Sequence, residues 1–450
     1  MADIPEDRPT PGDAGEAPDV ERDHVRGADL AGAEDSQQGR IPSQAGELRR
    51  LQEGHQIMET HVDGENAKRR VVRYIASGAF GDVYETATND TNIPEAMKTV
   101  TLTNVNTGQP LSDEERIRKL RPHLVEAHVM LDLGHHPNLA GIRAAFQINN
   151  DFYFFEDLVP GGCTLKAILE RQPTKTLQQD QATLVALKMA RGLAHMHDLN
   201  YRHWDVKPDN VLVDVDRAGS ITIVKLTDFG QGYTPPYSSP ETNTYYIKAK
   251  TKASGLTPES FTSAVTNKPG TRTTFAATRV SQLHGELRVA AASQDQWSLA
   301  VVWIEMQSGR RVTSAADVAS ANLHVKAQDV ALRCLADDAS NRPTMRTVVE
   351  ELALLVVDAP DGGYDATSAP QLGHDTVADD DLVSMHMNIG NAFYMLTASS
   401  EEDFDWAKEH IETARQLVEN LHGEETTQAA SALHNLADLL SAQVGSRARS

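Results

Sequence analysis

Residues 201–213 read YRHWDVKPDNVLV, and they constrain this chain more than any other stretch. Asp205, Lys207 and Asn210 lie on one short segment between apolar flanks, and Asp228 follows 18 residues after Asn210, in TDFG. Two carboxylates, an amide and a cation so close together suit chemistry on a charged substrate. Trp204 is the odd member, a large apolar ring among polar side chains.

Further pieces precede and follow in a fixed order. VVRYIASGAFGDVYETAT alternates as strands do around a glycine turn, with Gly78 and Gly81 in the bend. Glycines there let backbone N–H groups approach a phosphate; a plain hairpin is the simpler reading of that turn alone. EAMK puts Lys98 on the next strand, and DEERIRKLRPHLVEAHVMLDL reads as one or two helices carrying Glu126. LAGIRAAFQINNDFYFFEDLV reads as a hairpin turning at Asn149–Asp151, and from TLKAIL onward helical spacing dominates. Then come SSPE, DQW and NRP.

Taken in order, these pieces resemble the eukaryotic protein kinase family from about residue 70 to 355. The resemblance implies an α+β, bilobal fold: a five-stranded lobe with one helix, then a mainly helical lobe. It implies ATP and Mg²⁺ as cofactors and protein substrates phosphorylated on Ser or Thr. It assigns Asp205 as the base and Lys207, Asn210 and Thr234 as its companions. Asn210 and Asp228 become the metal ligands, and Lys98 the phosphate ligand held by Glu126. Ile75, Gly78, Gly81, Val83, Ala96 and Leu212 fall at nucleotide-contacting positions. Phe155 takes the gatekeeper place, with the backbones of Glu156 and Leu158 meeting adenine. Glu241 and Arg342 become a structural ion pair, and Asp295 the anchor of the catalytic loop. Lys207, two after the Asp, fits the serine/threonine branch. The rival reading is a pseudokinase-like scaffold; the completeness of the site favours an enzyme.

The chain departs from the pattern in three places. Trp204 stands where the family has an Arg that receives a phosphorylated loop. The stretch DFGQGYT is short, with Tyr233 its single hydroxyl before Thr234. Receiver and received loop are absent together, which predicts activity without activation-loop phosphorylation; simple packing of Trp204 is the alternative. Third, residues 242–294 form a long insert with 15 Ser/Thr and 7 Lys/Arg against 2 acids.

Charge is unevenly spread. Residues 1–46 carry 11 acids and 4 bases and no aromatic side chain, which reads as disordered. Residues 358–450 carry 17 acids and 4 bases. Acidic ends disfavour nucleic acid and anionic membranes as partners. They could be drawn to the basic insert, so a tail lying over the substrate cleft, released by salt, is expected. Two cysteines, no secretory signal and no long apolar run place the chain in the cytoplasm, with the nucleus open. The expected layout is thus 1–46 acidic tail, 47–357 catalytic domain, 358–381 linker and 382–445 a helical tail. In that tail Ile389, Gly390 and Phe393, then Ala407, Ile411 and Ala414, resemble a tetratricopeptide pair, with a peptide or protein partner implied.

Overall fold

The computed structural model describes residues 51–60, 66–77, 81–88, 93–104, 107–159, 161, 163–229, 278–279, 293–311, 318, 325–357, 379–396, 401–422, 430–437 and 439. Gly78, Thr234, Glu241, Tyr233, nearly all of the 242–294 insert and the 1–46 segment lie outside them.

Six antiparallel strands build the first lobe: β1 (Gln56–Thr60), β2 (Asn66–Ser77), β3 (Asp82–Thr88), β4 (Pro94–Thr101), β5 (Ile142–Ile148) and β6 (Asp151–Asp157). Their order is β1-β2-β3-β4-β6-β5. The expected five strands gain β1 at the edge, pairing with β2 from Gln56↔Arg70 to Thr60↔Asn66. QIMET is short and puts Ile57 in the core, so no alternating apolar pattern announces it. Two irregularities in the β2–β3 register, around residues 71–76, bend the sheet. Gly81 is required by packing against β4: at φ +154°, a Cβ there would lie 1.8 Å from the Thr99 carbonyl oxygen. The β5–β6 hairpin turns at Asn149–Asn150, with Asn149 at φ 54°.

The helix of this lobe, α1 (Asp113–Leu133), is a single helix despite Pro122. Ser112 and Glu115 cap it reciprocally, and Asp113, Glu114 and Glu115 complement its N-terminal dipole. The sheet's outer face buries Ile57, Val71, Tyr84, Met97, Ala144, Phe146 and Phe155. A buried Arg69–Glu95 pair at 2.8 Å lies beside them, the guanidinium 4.4 Å from the Phe155 ring centroid.

The second lobe follows: β7 (Cys163–Thr164), α2 (Leu165–Arg171), α3 (Gln179–Asp198), β8 (Tyr201–Arg202), β9 (Val211–Val215), β10 (Ile221–Leu226), β11 (Thr278–Arg279), α4 (Gln294–Ser308), α5 (Val325–Cys334) and α6 (Met345–Val357). β10, β9 and β7 form one small sheet and β11 pairs with β8. α3 packs between α4 and α6. Nearly every residue of α4 is buried, the polar Gln294, Asp295, Gln296 and Ser298 of its first turns along with the apolar run that follows.

Two last helices, α7 (Asp379–Leu396) and α8 (Glu401–His422), form a hairpin. α7 begins at Asp379, inside the expected linker, because Asp379, Asp380 and Asp381 suit a helix N-terminus. Ile389, Phe393, Ala407, Ile411 and Ala414 are all fully buried. Gly390 allows the helices to close, since a Cβ there would meet Ile411 Cγ1 at 2.8 Å. Among the described residues, no helix is long and apolar enough to cross a membrane.

Candidate active site

β4 pairs with β3 and β6, so Lys98 faces the cleft beneath Val83, its register partner. Alternate residues share a face, so Ala96 lies on the cleft side with Lys98, while Met97 points into the outer core. Ile75, Val83, Ala96, Leu158 and Leu212 are each half-buried, as walls of an open cleft would be.

Lys98 Nζ meets both carboxylate oxygens of Glu126, at 3.1 and 3.2 Å. It meets a third carboxylate as well, Glu156 Oε1 at 2.8 Å. An ammonium has three donors, and all three are thereby engaged. Burial alone would lower the Lys98 pKa, but Glu126, Glu156 and Asp228 together hold it above the usual lysine range. Burial pushes the Glu156 carboxyl up to about 7, against the pull of Lys98.

This contact corrects the assignment made by resemblance. Phe155 pairs with Met97 and lies buried on the sheet's far face, so it cannot guard the cleft. Side chains alternate along a strand, and a shift of one residue exchanges the faces. The side chain lining the cleft at this point is Glu156. Its backbone lies within the ladder, opposite Ala96 and Ile142, so it is not the segment free to meet a base. That segment begins beyond Asp157, where Leu158 stands. Asp157 anchors it, holding Lys225 and Arg143 each at 2.8 Å and accepting the Gly141 N–H at 3.2 Å. Nothing in the sequence singled out Glu156 as a side-chain partner of Lys98, since FFEDL is equally apolar on both strand faces.

Glu156→Gln should tighten MgATP binding roughly 3- to 10-fold, the size of one charge-assisted hydrogen bond partly screened. The variant removes a negative competitor for Lys98 and keeps the side chain's shape. Nucleotide titration by calorimetry checks this; unchanged or weakened affinity would mean Glu156 does not compete.

The catalytic loop is set by backbone strain and its compensation. Trp204 takes φ 69° and Asp228 φ 67°, conformations that are costly for a bulky side chain and easier for Asp. Asp295, at the N-terminal end of α4 and fully buried, accepts the N–H groups of His203 at 2.9 Å and Trp204 at 3.0 Å. His197 Nε2 bonds the same carboxylate at 2.8 Å. The Trp204 ring is 2% exposed, packed inside the lobe. The packing alternative raised for Trp204 is what its side chain does; the loop it was paired with lies outside the described residues.

Asp205 is buried, with Lys207 and Asn210 both donating to its Oδ2; the Asn210 bond is 3.0 Å. Asn210 Nδ2 also donates to the Asp205 carbonyl at 3.0 Å, which leaves its amide oxygen as the atom for a metal. The Asn210 carbonyl accepts the Thr227 N–H at 3.1 Å, and His203 Nε2 lies 3.2 Å from the Thr227 carbonyl. The two segments 18 residues apart are thus tied directly. Asp228 is pushed up to about 6, first by burial and then by Glu126, with Asp205 adding to it. A carboxyl so raised by buried, acidic surroundings fits a divalent cation that would relieve the repulsion. Among the described residues no group of three His, Cys, Asp or Glu forms a cage. One Asp and one Asn suit Mg²⁺ held otherwise by water and phosphate. Arg342 is buried against Trp297 and bonds Ser293 Oγ at 3.2 Å; its expected partner Glu241 is outside the described residues.

A family profile described as Protein kinase domain matches residues 69–356. The chain belongs to the protein kinase family. The kinase domain is 28% identical over 178 residues to the mouse serine/threonine-protein kinase DCLK3, covering 37% of this chain and 20% of that protein. It is 30% identical over 160 residues to the serine/threonine-protein kinase WARTS homolog of Caenorhabditis elegans, covering 36% and 16%. It is 29% identical over 223 residues to the cGMP-dependent protein kinase of Toxoplasma gondii, covering 46% and 20%. The matched stretch thus spans a fifth or less of each of these three relatives. Membership implies ATP use, typically with Mg²⁺, and protein substrates.

Proposed function

We propose that this kinase domain is catalytically active and transfers the γ-phosphate of MgATP to Ser or Thr hydroxyls of protein substrates. The observation that carries the reading is the closed Lys98–Glu126 pair beside a buried Asp205 whose carboxylate is oriented by Lys207 and Asn210. Asp228 and the Asn210 amide oxygen would hold Mg²⁺, which when bound offsets phosphate charge. Lys98 holds the nucleotide's phosphates, Asp205 accepts the substrate hydroxyl proton, and Lys207 adds positive charge on the other side. The relatives' names support the Ser/Thr class. In keeping with the sequence, we place the protein in the cytoplasm and read the α7–α8 hairpin as a tetratricopeptide-like pair.

One observation favours a scaffold instead: Glu156 occupies the third donor of Lys98, as nothing that binds phosphate needs. Transfer of radiolabel from ATP to a Ser/Thr peptide mixture, beside an Asp228→Ala control, separates the two. Label in the wild type and none in the control is expected; equal, background label in both would establish the scaffold. Because no phosphate receiver stands at position 204, bacterially produced, phosphatase-treated protein should retain most of its activity. Complete loss, restored by an added kinase acting between residues 229 and 240, would reject that.

A further inference from the structure

α1 is buried on more sides than a helix lying on one sheet requires. Residues 123–130 are buried without a gap, which is more than two turns, so no face of the helix meets water there. The Lys98 side is covered by the sheet. The other side is covered by the chain's own C-terminal hairpin: α7 lies against α1 and β5, and α8 supplies the polar contacts.

Those contacts are specific. Arg121 Nε meets Asp403 Oδ1 at 2.8 Å, with the Asp403 side chain fully buried, and the guanidinium carbon sits 5.4 Å from the Trp406 ring centroid. His128 Nδ1 lies 3.1 Å from His410 Nε2, and the His128 ring packs on Trp406 at 5.2 Å and edge-on to Phe393 at 6.5 Å. The other nitrogen of His410, Nδ1, lies 2.8 Å from His386 Nδ1. A chain of neutral imidazoles satisfies these contacts, His410 donating to one neighbour and accepting from the other. Burial keeps His386 down at about 4, against the pull of Asp132, and holds His410 well below the usual histidine range.

His128 stands about 200° round the helix from Glu126. The hairpin thus presses on the back of the helix whose front carries the Lys98 partner. We propose that residues 379–422 are a built-in brace for α1, with Arg121 and His128, held by Asp403 and His410, as positioning residues that keep Glu126 on Lys98. The proposal rests on the catalytic reading above. It reverses the sign expected from charge alone: the acidic C-terminal segment supports the kinase domain from behind instead of covering its cleft, and its removal lowers activity.

The test uses the full-length protein. Asp403→Ala leaves Arg121 facing a buried gap, and Gly390→Leu forces α7 from α8 without touching α1. Each should raise amide exchange across residues 113–133 about 10-fold and lower the transfer rate by a similar factor, with Asp403→Glu restoring most of both. A brace acting through Glu126 has a further signature: in a Glu126→Gln background, Asp403→Ala should add little to the loss of rate. Wild-type exchange and rate in both single variants would overturn the proposal, as would a full, additive loss in the Glu126→Gln background. If the wild type transfers no phosphate, the catalytic reading fails by itself. Exchange across 113–133 and MgATP affinity then decide the brace, and unchanged values in both variants refute it.

Discussion

Asp205→Asn should lower phosphoryl transfer roughly 10²–10⁴-fold while MgATP affinity stays within about twofold of wild type. The substitution keeps the shape of the side chain, which is buried and accepts from Lys207 and Asn210 at one oxygen. An amide cannot take the proton of a substrate hydroxyl, while its remaining oxygen can still accept from those two donors and keep the loop's shape. Binding depends on Lys98, on Asp228 and on the cleft walls, none of which the substitution touches. Single-turnover transfer and nucleotide titration, measured on the same preparations, separate the two effects. Undiminished transfer would remove Asp205 from the role of base.

Asp295→Ala should cost about 3–5 kcal/mol of stability and lower the melting temperature by roughly 10 °C. The carboxylate is fully buried and serves three donors: His197 Nε2 and the N–H groups of His203 and Trp204. Without it, those donors lose this acceptor, and Trp204 keeps a left-handed backbone without the bond that offsets its strain. Burial pushes the Asp295 carboxyl up, but the His197 bond and the His203 contacts outweigh it and hold it below the ordinary range. A carboxyl depressed in the folded state contributes stability above its unfolded pKa and loses it as pH falls through the folded one. The gap between wild type and variant should therefore be complete at pH 7 and close below roughly pH 4. Thermal scans across that range check it. A gap under about 1 kcal/mol at pH 7 would mean the loop is held by other contacts.

The groups proposed to carry catalysis were legible in the sequence because the motifs that hold them are local. Asp205, Lys207 and Asn210 share one loop and Asp228 follows the next β-hairpin, and their resemblance to the family's motifs, more than their spacing, marked them. Lys98 and Glu126 were legible through the strand and helix that carry them. What failed was a matter of facing. One residue separates Phe155 from Glu156, and a period of two turns that single step into opposite sides of a sheet; the motif FFEDL does not show which side is which. The edge strand at 56–60 escaped because an edge with little to bury leaves no alternating pattern.

By itself, the sequence determined the family, the order of the elements, the residues proposed to handle phosphate and metal, and the helical hairpin with its small residues at 390, 407 and 414. Propensity and period carry the elements along the chain, and the resemblance of its motifs to the family's carries the proposed site. Only the tertiary structure decided three things: that Glu156 takes a donor of Lys98, that Trp204 is a buried ring over a strained backbone, and that the hairpin sits on α1. Each is a contact between groups distant in sequence, Lys98 with Glu156, Trp204 with Asp295, Arg121 with Asp403. Net charge could not foresee the last of these. Coulomb attraction between exposed tails is screened within about 8–10 Å, whereas buried apolar surface and one desolvated ion pair act at contact and fix where the hairpin rests.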